Sequence, residues 1–339
     1  MKIFVTGVNG FIGTHFLENV LTKRDWEVTG FDISDYNLAP FANNPKFRFI
    51  KGDIFKDGAI IEEEIKKCDV VLPLAGVAKP GYYIEKPVWT FELDFEQNLK
   101  VVRWCAEHGK RVIFPSTSEV YGMSSDSELK EDESPLITGP IKKMRWIYSC
   151  SKQMMDRVIF AYGQESGLKF SLFRPFNWIG PRIDTFRDAE ERKARSITQF
   201  IYDVVKRHEI TLVNGGSQRR SFTWIGDGID GLVEIIADKN NNANGEIFNI
   251  GNPANNYSIK EMAEMIIEEA KKFPCFAEAA NATVLKVMDA NTYYGKSYDD
   301  MQNRIPSVEK MKTFFGWEPK ATLRDAIRYT LDWHSKNKG

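Results

Sequence analysis

The sequence predicts an α/β fold, a doubly wound parallel sheet followed by a smaller C-terminal α/β lobe. Three observations predict it. Short strand-like runs alternate with amphipathic stretches through the first 120 or so residues, a glycine-rich loop joins the first strand to the first helix, and the texture changes after Asn177. Taken in order, the strand-like runs are Ile3–Val5, Glu27–Phe31, Phe47–Ile50, Val70–Pro73 and Arg111–Phe114. Between them Gly13–Thr22, Ile60–Lys67 and Glu92–His108 carry apolar residues at helical spacing, so each strand is followed by a crossover helix. A long helix is predicted from about Tyr148 to about Tyr162, because Met154, Met155, Val158, Ile159 and Tyr162 share a face and Gly163 and Gly167 follow. Phe170–Phe173 then reads as another buried strand.

Beyond Asn177 come Gly-Pro turns, a charge-rich stretch at Asp188–Arg195 expected to form a mobile loop, and amphipathic helices at Ser196–Arg207, Ser258–Lys272 and Leu323–Ser335. The expected division is a cofactor lobe over 1–176, joined by part of 222–252, and a substrate lobe over most of 177–339.

Composition narrows the function classes. With 339 residues the chain can bury its own core, and 42% hydrophobic against 27% charged residues with a net charge of −1 excludes a disordered or nucleic-acid-coating protein. The scattered cysteines Cys68, Cys105, Cys150 and Cys275 are expected to be reduced, and His15, His108, His208 and His334 lack metal-ligand spacing, so no metal is expected. No apolar run approaches the roughly 20 residues of a membrane span, and Met1–Val5 runs straight into a strand. A cytoplasmic protein without membrane or nucleic-acid partners is expected.

The loop Thr6-Gly7-Val8-Asn9-Gly10-Phe11-Ile12-Gly13 spaces its glycines G-x-x-G-x-x-G between a strand and a helix. Such glycines allow a tight turn, close approach to a pyrophosphate and helix–sheet packing, while the helix N-terminus stabilises the phosphate charge. This is the mark of a Rossmann-type dinucleotide site, and Gly7, Gly10, Phe11, Ile12 and Gly13 are its candidate lining. Asp32 ends the second strand at the offset of the acid that accepts ribose hydroxyls, where a carboxylate would repel a 2′-phosphate. NAD is therefore expected rather than NADP. Asp53 and Ile54, after the third strand, are candidates to flank the adenine.

Downstream, Thr117 lies past a strand end in Pro115-Ser116-Thr117-Ser118-Glu119-Val120-Tyr121-Gly122, and Tyr148 and Lys152 stand four apart on one helical face. A lysine ammonium beside a phenol favours the phenolate, turning the tyrosine into a proton acceptor, with Thr117 as hydrogen-bonding partner of the same substrate oxygen.

Nearly the whole chain resembles the extended short-chain dehydrogenase/reductases that modify nucleotide sugars, and within them the branch of UDP-glucuronic acid decarboxylase domains found in bifunctional polymyxin-resistance enzymes. The resemblance rests on Phe91–Leu99, Pro115–Gly122, Arg145–Tyr148 with Ser151-Lys152, Arg174–Arg182 and Tyr293-Tyr294-Gly295-Lys296. It implies a UDP-sugar site using Ala78, Tyr83, Arg145, Asn177, Arg195, Arg220 and Tyr298, with Ser118, Glu119 and Arg304 at the reacting end. It also implies a homodimer through the Glu92–His108 and Tyr148–Tyr162 helices. Of the arginines, Arg220 has an independent argument, since a diphosphate suits a guanidinium fork beside the Gly215-Gly216 turn.

Oxidation at carbon 4 of the sugar makes a ketone that activates carbon 5. Related 4,6-dehydratases follow the threonine with an aspartate; here Ser118 stands there, which disfavours dehydration. With a carboxylate on carbon 5 the ketone gives a β-keto acid that loses carbon dioxide, with Ser118 and Arg304 orienting the carboxylate and Glu119 assisting at carbon 5. The expected reaction is thus oxidative decarboxylation of UDP-glucuronic acid. Two alternatives are a UDP-N-acetylhexosamine 4-oxidoreductase or 5-epimerase and a non-catalytic NAD-binding sensor, the latter disfavoured by the intact Thr117, Tyr148 and Lys152. Thr211 departs from the resembled branch, which has a lysine there.

Overall fold

A computed structural model describes residues 1–238, 240–289 and 304–337. Its strands are β1 (Lys2–Thr6), β2 (Glu27–Asp32), β3 (Phe47–Lys51), β4 (Val70–Pro73), β5 (Arg111–Pro115), β6 (Phe170–Pro175), β7 (Trp178–Ile179), β8 (Glu209–Val213), β9 (Arg219–Ser221), β10 (Thr223–Trp224), β11 (Glu246–Ile250), β12 (Asn256–Ser258) and β13 (Val284–Met288). The helices that matter for the site are α1 (Phe11–Lys23), α2 (Gly58–Lys67), α3 (Pro80–Glu85), α4 (Pro87–Phe91), α5 (Asn98–Glu107), α6 (Trp146–Ser166), α7 (Phe186–Glu190), α8 (Ser196–Tyr202), α9 (Ile225–Ala237) and α10 (Ile259–Ala270), followed by Glu309–Phe315 and the terminal Leu323–Lys336.

Seven strands form one parallel sheet in the order β11-β6-β5-β4-β1-β2-β3. Because chain order reverses between β1 and β4, the crossovers leave to opposite faces and open a crevice at the carboxyl ends of the strands. Both faces are covered, which explains runs such as Val70–Pro73 that are buried throughout rather than alternating. One face packs Phe16, Leu17 and Val20 of α1 with Ile229, Leu232 and Ile236 of α9. The other packs Ile61 and Ile65 of α2, Val101 and Val102 of α5, and Met155 and Ile159 of α6. β11 is contributed from beyond residue 177 and pairs with β6 from Glu246↔Ser171 to Ile250↔Pro175.

A second core joins α8, α10, the terminal helix and the parallel pair β8–β13. It sits against the crevice through Phe11 and Trp224, which pack on both cores. Two local expectations change. The Glu92–His108 helix is interrupted by a π-helical turn over Glu92–Gln97 before α5 begins. The charge-rich stretch is not wholly loop: Asp188 falls in α7, whose N-terminus is closed by a Thr185–Asp188 capping box. Among the described residues no helix is long and apolar enough to cross a membrane.

Candidate active site

The glycine loop makes a cradle at the N-terminus of α1. Gly7 has a left-handed backbone (φ 72°), and a Cβ there would meet Ala75 N at 2.6 Å, so β1 and the loop after β4 approach as only glycine permits. A Cβ at Gly13 would strike Val8 O at 2.4 Å, whereas one at Gly10 would meet only Gly7 O, at 3.1 Å. The backbone at Gly10 therefore borders open space at a helix N-terminus, the shape and polarity a pyrophosphate needs. Asp32 points its carboxylate back to this loop, accepting the Asn9 N–H at 2.9 Å and the Ser34 N–H at 3.2 Å. Burial pushes its pKa up, partly offset by those backbone hydrogen bonds. These residues fit a dinucleotide. Asp53 is engaged locally, accepting the Phe55 N–H at 3.0 Å and pairing with Lys56 at 3.3 Å, while Ile54 packs toward Tyr148 and Tyr83.

The candidate reacting end is assembled from separate parts of the chain. Thr117 caps a 3-10 turn over Ser118–Tyr121 and accepts the Glu119 N–H at 3.2 Å. Tyr148, near the start of α6, is buried, stacks on Tyr83 of α3 with centroids 4.4 Å apart, and hydrogen-bonds Thr117. Its carrier is fixed beneath it: Ser116 donates to Asp156 at 2.7 Å, and Asp156 pairs with the buried Arg174 at 3.3 Å. Glu119 lies between two guanidinium groups, receiving Arg145 Nη2 at 2.6 Å and Arg304 Nη1 at 2.5 Å; the latter also reaches Ser118 Oγ at 3.5 Å. Arg145 and Arg304 are both buried.

Lys152 lies one helical turn after Tyr148 on α6, as its spacing predicts. Its ammonium stands 6.0 Å from the Tyr148 ring centroid, donates to Pro115 O at 3.1 Å and pairs with Asp94 at 3.3 Å. Among the protein's own groups the phenol is raised, first by burial and then by the Asp94 and Glu119 charges, against hydrogen bonds from Thr117 and Tyr83.

The remaining candidates lie in several elements. Ala78 is exposed ahead of α3, and Asn177 takes a positive φ of 40° while its amide donates to Ser221 O at 3.3 Å. Arg195 is bound to the buried Asp184 and lies over the Phe11 ring at 5.7 Å, so it ties the segment ahead of α8 to the glycine loop. Arg220 lies in β9 and donates to Arg219 O at 2.7 Å. Thr211 pairs in register with Lys286 of β13. Tyr298 and the Tyr293–Lys296 stretch lie outside the described residues. Sequence reasoning missed Asp94 and Asp156; the available signal was an acid on the buried face of an amphipathic helix, where carboxylates are rare unless paired.

A glycine-cradled Rossmann sheet with a strand-end threonine and a tyrosine–lysine helix beside it defines an extended short-chain dehydrogenase/reductase. Residues 3–251 match the NAD dependent epimerase/dehydratase family. The PbgP3 protein from Burkholderia pseudomallei is similar at 43% identity over 99% of this chain and 96% of that one, with a TM-score of 0.90. The UDP-glucuronic acid 4-epimerase from Bacillus cereus, solved with UDP-glucuronic acid and NAD, shares the fold at 21% identity, 99% coverage of each chain and a TM-score of 0.83. So does the dTDP-glucose 4,6-dehydratase from Bacillus anthracis in complex with NAD, at 22% identity over 100% of this chain and 97% of that one, with a TM-score of 0.80. The chain belongs to the NAD dependent epimerase/dehydratase family; it is an NAD-dependent enzyme of the nucleotide-sugar type.

Proposed function

We propose that this enzyme oxidises UDP-glucuronic acid at carbon 4 and decarboxylates it. The observation that carries this reading is the convergence of Arg145 and Arg304 on Glu119 and Ser118, in the same pocket as the Tyr148 phenol. Two buried guanidinium groups facing one carboxylate suit an anionic substituent on the sugar, which a neutral hexose lacks.

In this reading NAD, held by Gly7, Gly10, Gly13 and Asp32, supplies the hydride acceptor. Tyr148 accepts the proton of the 4-hydroxyl while Thr117 hydrogen-bonds the same oxygen. Lys152 and Asp94 hold the helix position from which the phenol acts. Arg304 and Ser118 bind the carboxylate on carbon 5 and turn its carbon–carbon bond toward the new ketone. When that bond breaks, its electron pair passes into the ketone as an enolate and carbon dioxide leaves. Glu119, positioned by both guanidinium groups, manages the proton returned to carbon 5. Arg220 and Arg195 are assigned to the diphosphate side, with Ala78, Tyr83 and Asn177 shaping the sugar pocket.

The cofactor lobe (1–176 with part of 222–252) and the substrate lobe would then meet over the reacting carbon. A homodimer through the Glu92–His108 and Tyr148–Tyr162 helices is included in this proposal, supported by the exposed Met154 and Phe160 of α6. Incubating the protein with NAD and a panel of UDP-sugars, with mass spectrometry of the products, tests the substrate. Loss of carbon dioxide from UDP-glucuronic acid is expected; an unchanged product mass would point to epimerisation, and no turnover of any UDP-sugar would sink the reading.

A further inference from the structure

Arg304 belongs to a stretch of backbone that is tied to a distant part of the chain. Leu129 N–H donates to Ile305 O at 2.7 Å and Ser307 N–H donates to Leu129 O at 2.8 Å, forming a parallel bridge between Leu129 and Pro306. Leu129 is fully buried beside Val120, Tyr121 and Phe176, and its carbonyl accepts a second donor, Asn249 Nδ2, at 2.9 Å. Asn249 is fully buried near the end of β11, in register with Arg174 of β6, and its own N–H donates to Glu131 Oε1 at 2.8 Å. The hydrogen-bond directions around it are determined. Arg174 Nη1 donates to the Tyr121 hydroxyl at 2.9 Å, so that hydroxyl turns its own hydrogen to Asn249 Oδ1 at 2.8 Å, and the amide nitrogen donates to Leu129. A carboxamide is the side chain of this length that accepts and donates at once; leucine would do neither and would leave buried polar groups unpaired.

What sets this network apart from ordinary core hydrogen bonding is where its two limbs end. Tyr121 closes the 3-10 turn over Ser118–Tyr121, so the amide oxygen of Asn249 holds the element that carries Ser118 and Glu119. Leu129 holds Ile305 and Ser307, so the amide nitrogen holds the backbone next to Arg304. The Arg304 guanidinium in turn reaches Ser118 and Glu119. We propose that Asn249 is a positioning residue: its carboxamide sets the register between the Ser118–Tyr121 turn and the Arg304 backbone, and with it the reach of the guanidinium onto the sugar carboxylate. This rests on the carboxylate-binding role proposed for Arg304 and Ser118. Asn249 acts through Tyr121 and Leu129 rather than by touching the sugar.

The test is a double-mutant cycle between Asn249→Ala and Arg304→Ala, read as the affinity of NADH-loaded protein for UDP-glucuronic acid and for UDP-glucose. NADH cannot accept a hydride, so both sugars stay intact, and UDP-glucose lacks the carboxylate. The parent should bind UDP-glucuronic acid more tightly than UDP-glucose, and Arg304→Ala should lose that preference. Asn249→Ala should lose about tenfold of it with UDP-glucose affinity unchanged, and should cost nothing further in the Arg304→Ala background, since residues that act through one another are not additive. Tyr121→Phe, which cuts the other limb and leaves the carboxamide on Leu129, should act in the same direction and serves if Asn249→Ala does not fold. A preference kept in these variants, an equal loss for both sugars, or a loss that adds to that of Arg304→Ala would overturn the inference. A readout free of substrate is the Arg304 guanidinium signal in nuclear magnetic resonance of isotope-labelled arginine, identified by its loss in Arg304→Ala. It should shift in Asn249→Ala and in Tyr121→Phe; an unshifted signal would overturn the inference whatever the parent prefers. A shifted signal in a parent without preference for UDP-glucuronic acid would leave this inference standing and defeat the substrate reading.

Discussion

At Asp32 one carboxylate decides which cofactor is preferred. It is already satisfied on one side by Asn9 and Ser34 and has lone pairs to spare for ribose hydroxyls, but no cation to receive a 2′-phosphate is contributed by its hydrogen-bond partners. NAD should therefore bind more tightly than NADP, and Asp32→Ser should narrow the difference by weakening NAD and relieving the repulsion. Titration of both cofactors into parent and variant checks this; equal affinities in the parent would remove the argument. Residues of this kind were legible because the chemistry demands a residue type at a set offset. Gly7, Asp32, Thr117, Tyr148 and Lys152 all fall in that class. What the sequence could not show is environment. The stacking of Tyr83 on Tyr148 and the raised phenol come from burial, and the Glu119–Arg304 contact joins residues 185 apart that no local spacing links. Only the resemblance pointed to Arg304.

The terminal helix shows the same limit for a whole element. Its amphipathic pattern was readable, but not that His334 would stack on Phe186 of α7 with centroids 4.6 Å apart. Burial depresses the His334 pKa from 6.5 to about 4, so the folded state prefers the neutral ring. The unfolded chain binds the proton first, and the stability this residue contributes is complete above its unfolded pKa and is lost as pH falls toward the folded one. The loss is on the order of 3 kcal/mol if the whole window is crossed. Denaturant unfolding followed from neutral pH down through about 5 should show this slope, and His334→Phe should flatten it while keeping the stack. A slope unchanged by His334→Phe would assign the acid sensitivity elsewhere. α7 itself was readable in principle, since Thr185-x-x-Asp188 is a capping box, but the surrounding charges masked it. The π turn at Glu92–Gln97 was not, because the extra residue of such a turn leaves no separate mark in the spacing of apolar positions.

For the whole molecule, the alternation of strands and helices identified the parallel sheet, while the return of β11 beside β6 depends on pairing residues 75 apart, which periodicity alone does not specify. The proposed homodimer pairs the Glu92–His108 and Tyr148–Tyr162 helices, where Met154 and Phe160 are exposed, and sedimentation at micromolar concentration should show a dimer; a monomer alone would count against it. The central claim is that oxidation at carbon 4 and loss of carbon dioxide are successive steps with different residues in charge. Single-turnover NADH absorbance, followed beside carbon dioxide release from UDP-glucuronic acid, tests it most directly in the parent, Tyr148→Phe and Glu119→Gln. The parent should do both; Tyr148→Phe should do neither while still binding the UDP-sugar. Glu119→Gln should form NADH but fall behind in the later step by roughly 10²–10⁴-fold, the effect of removing one positioned acid–base group. NADH formed by the parent with no carbon dioxide, or a Glu119→Gln variant that oxidises and decarboxylates at the parent rate, would contradict the account.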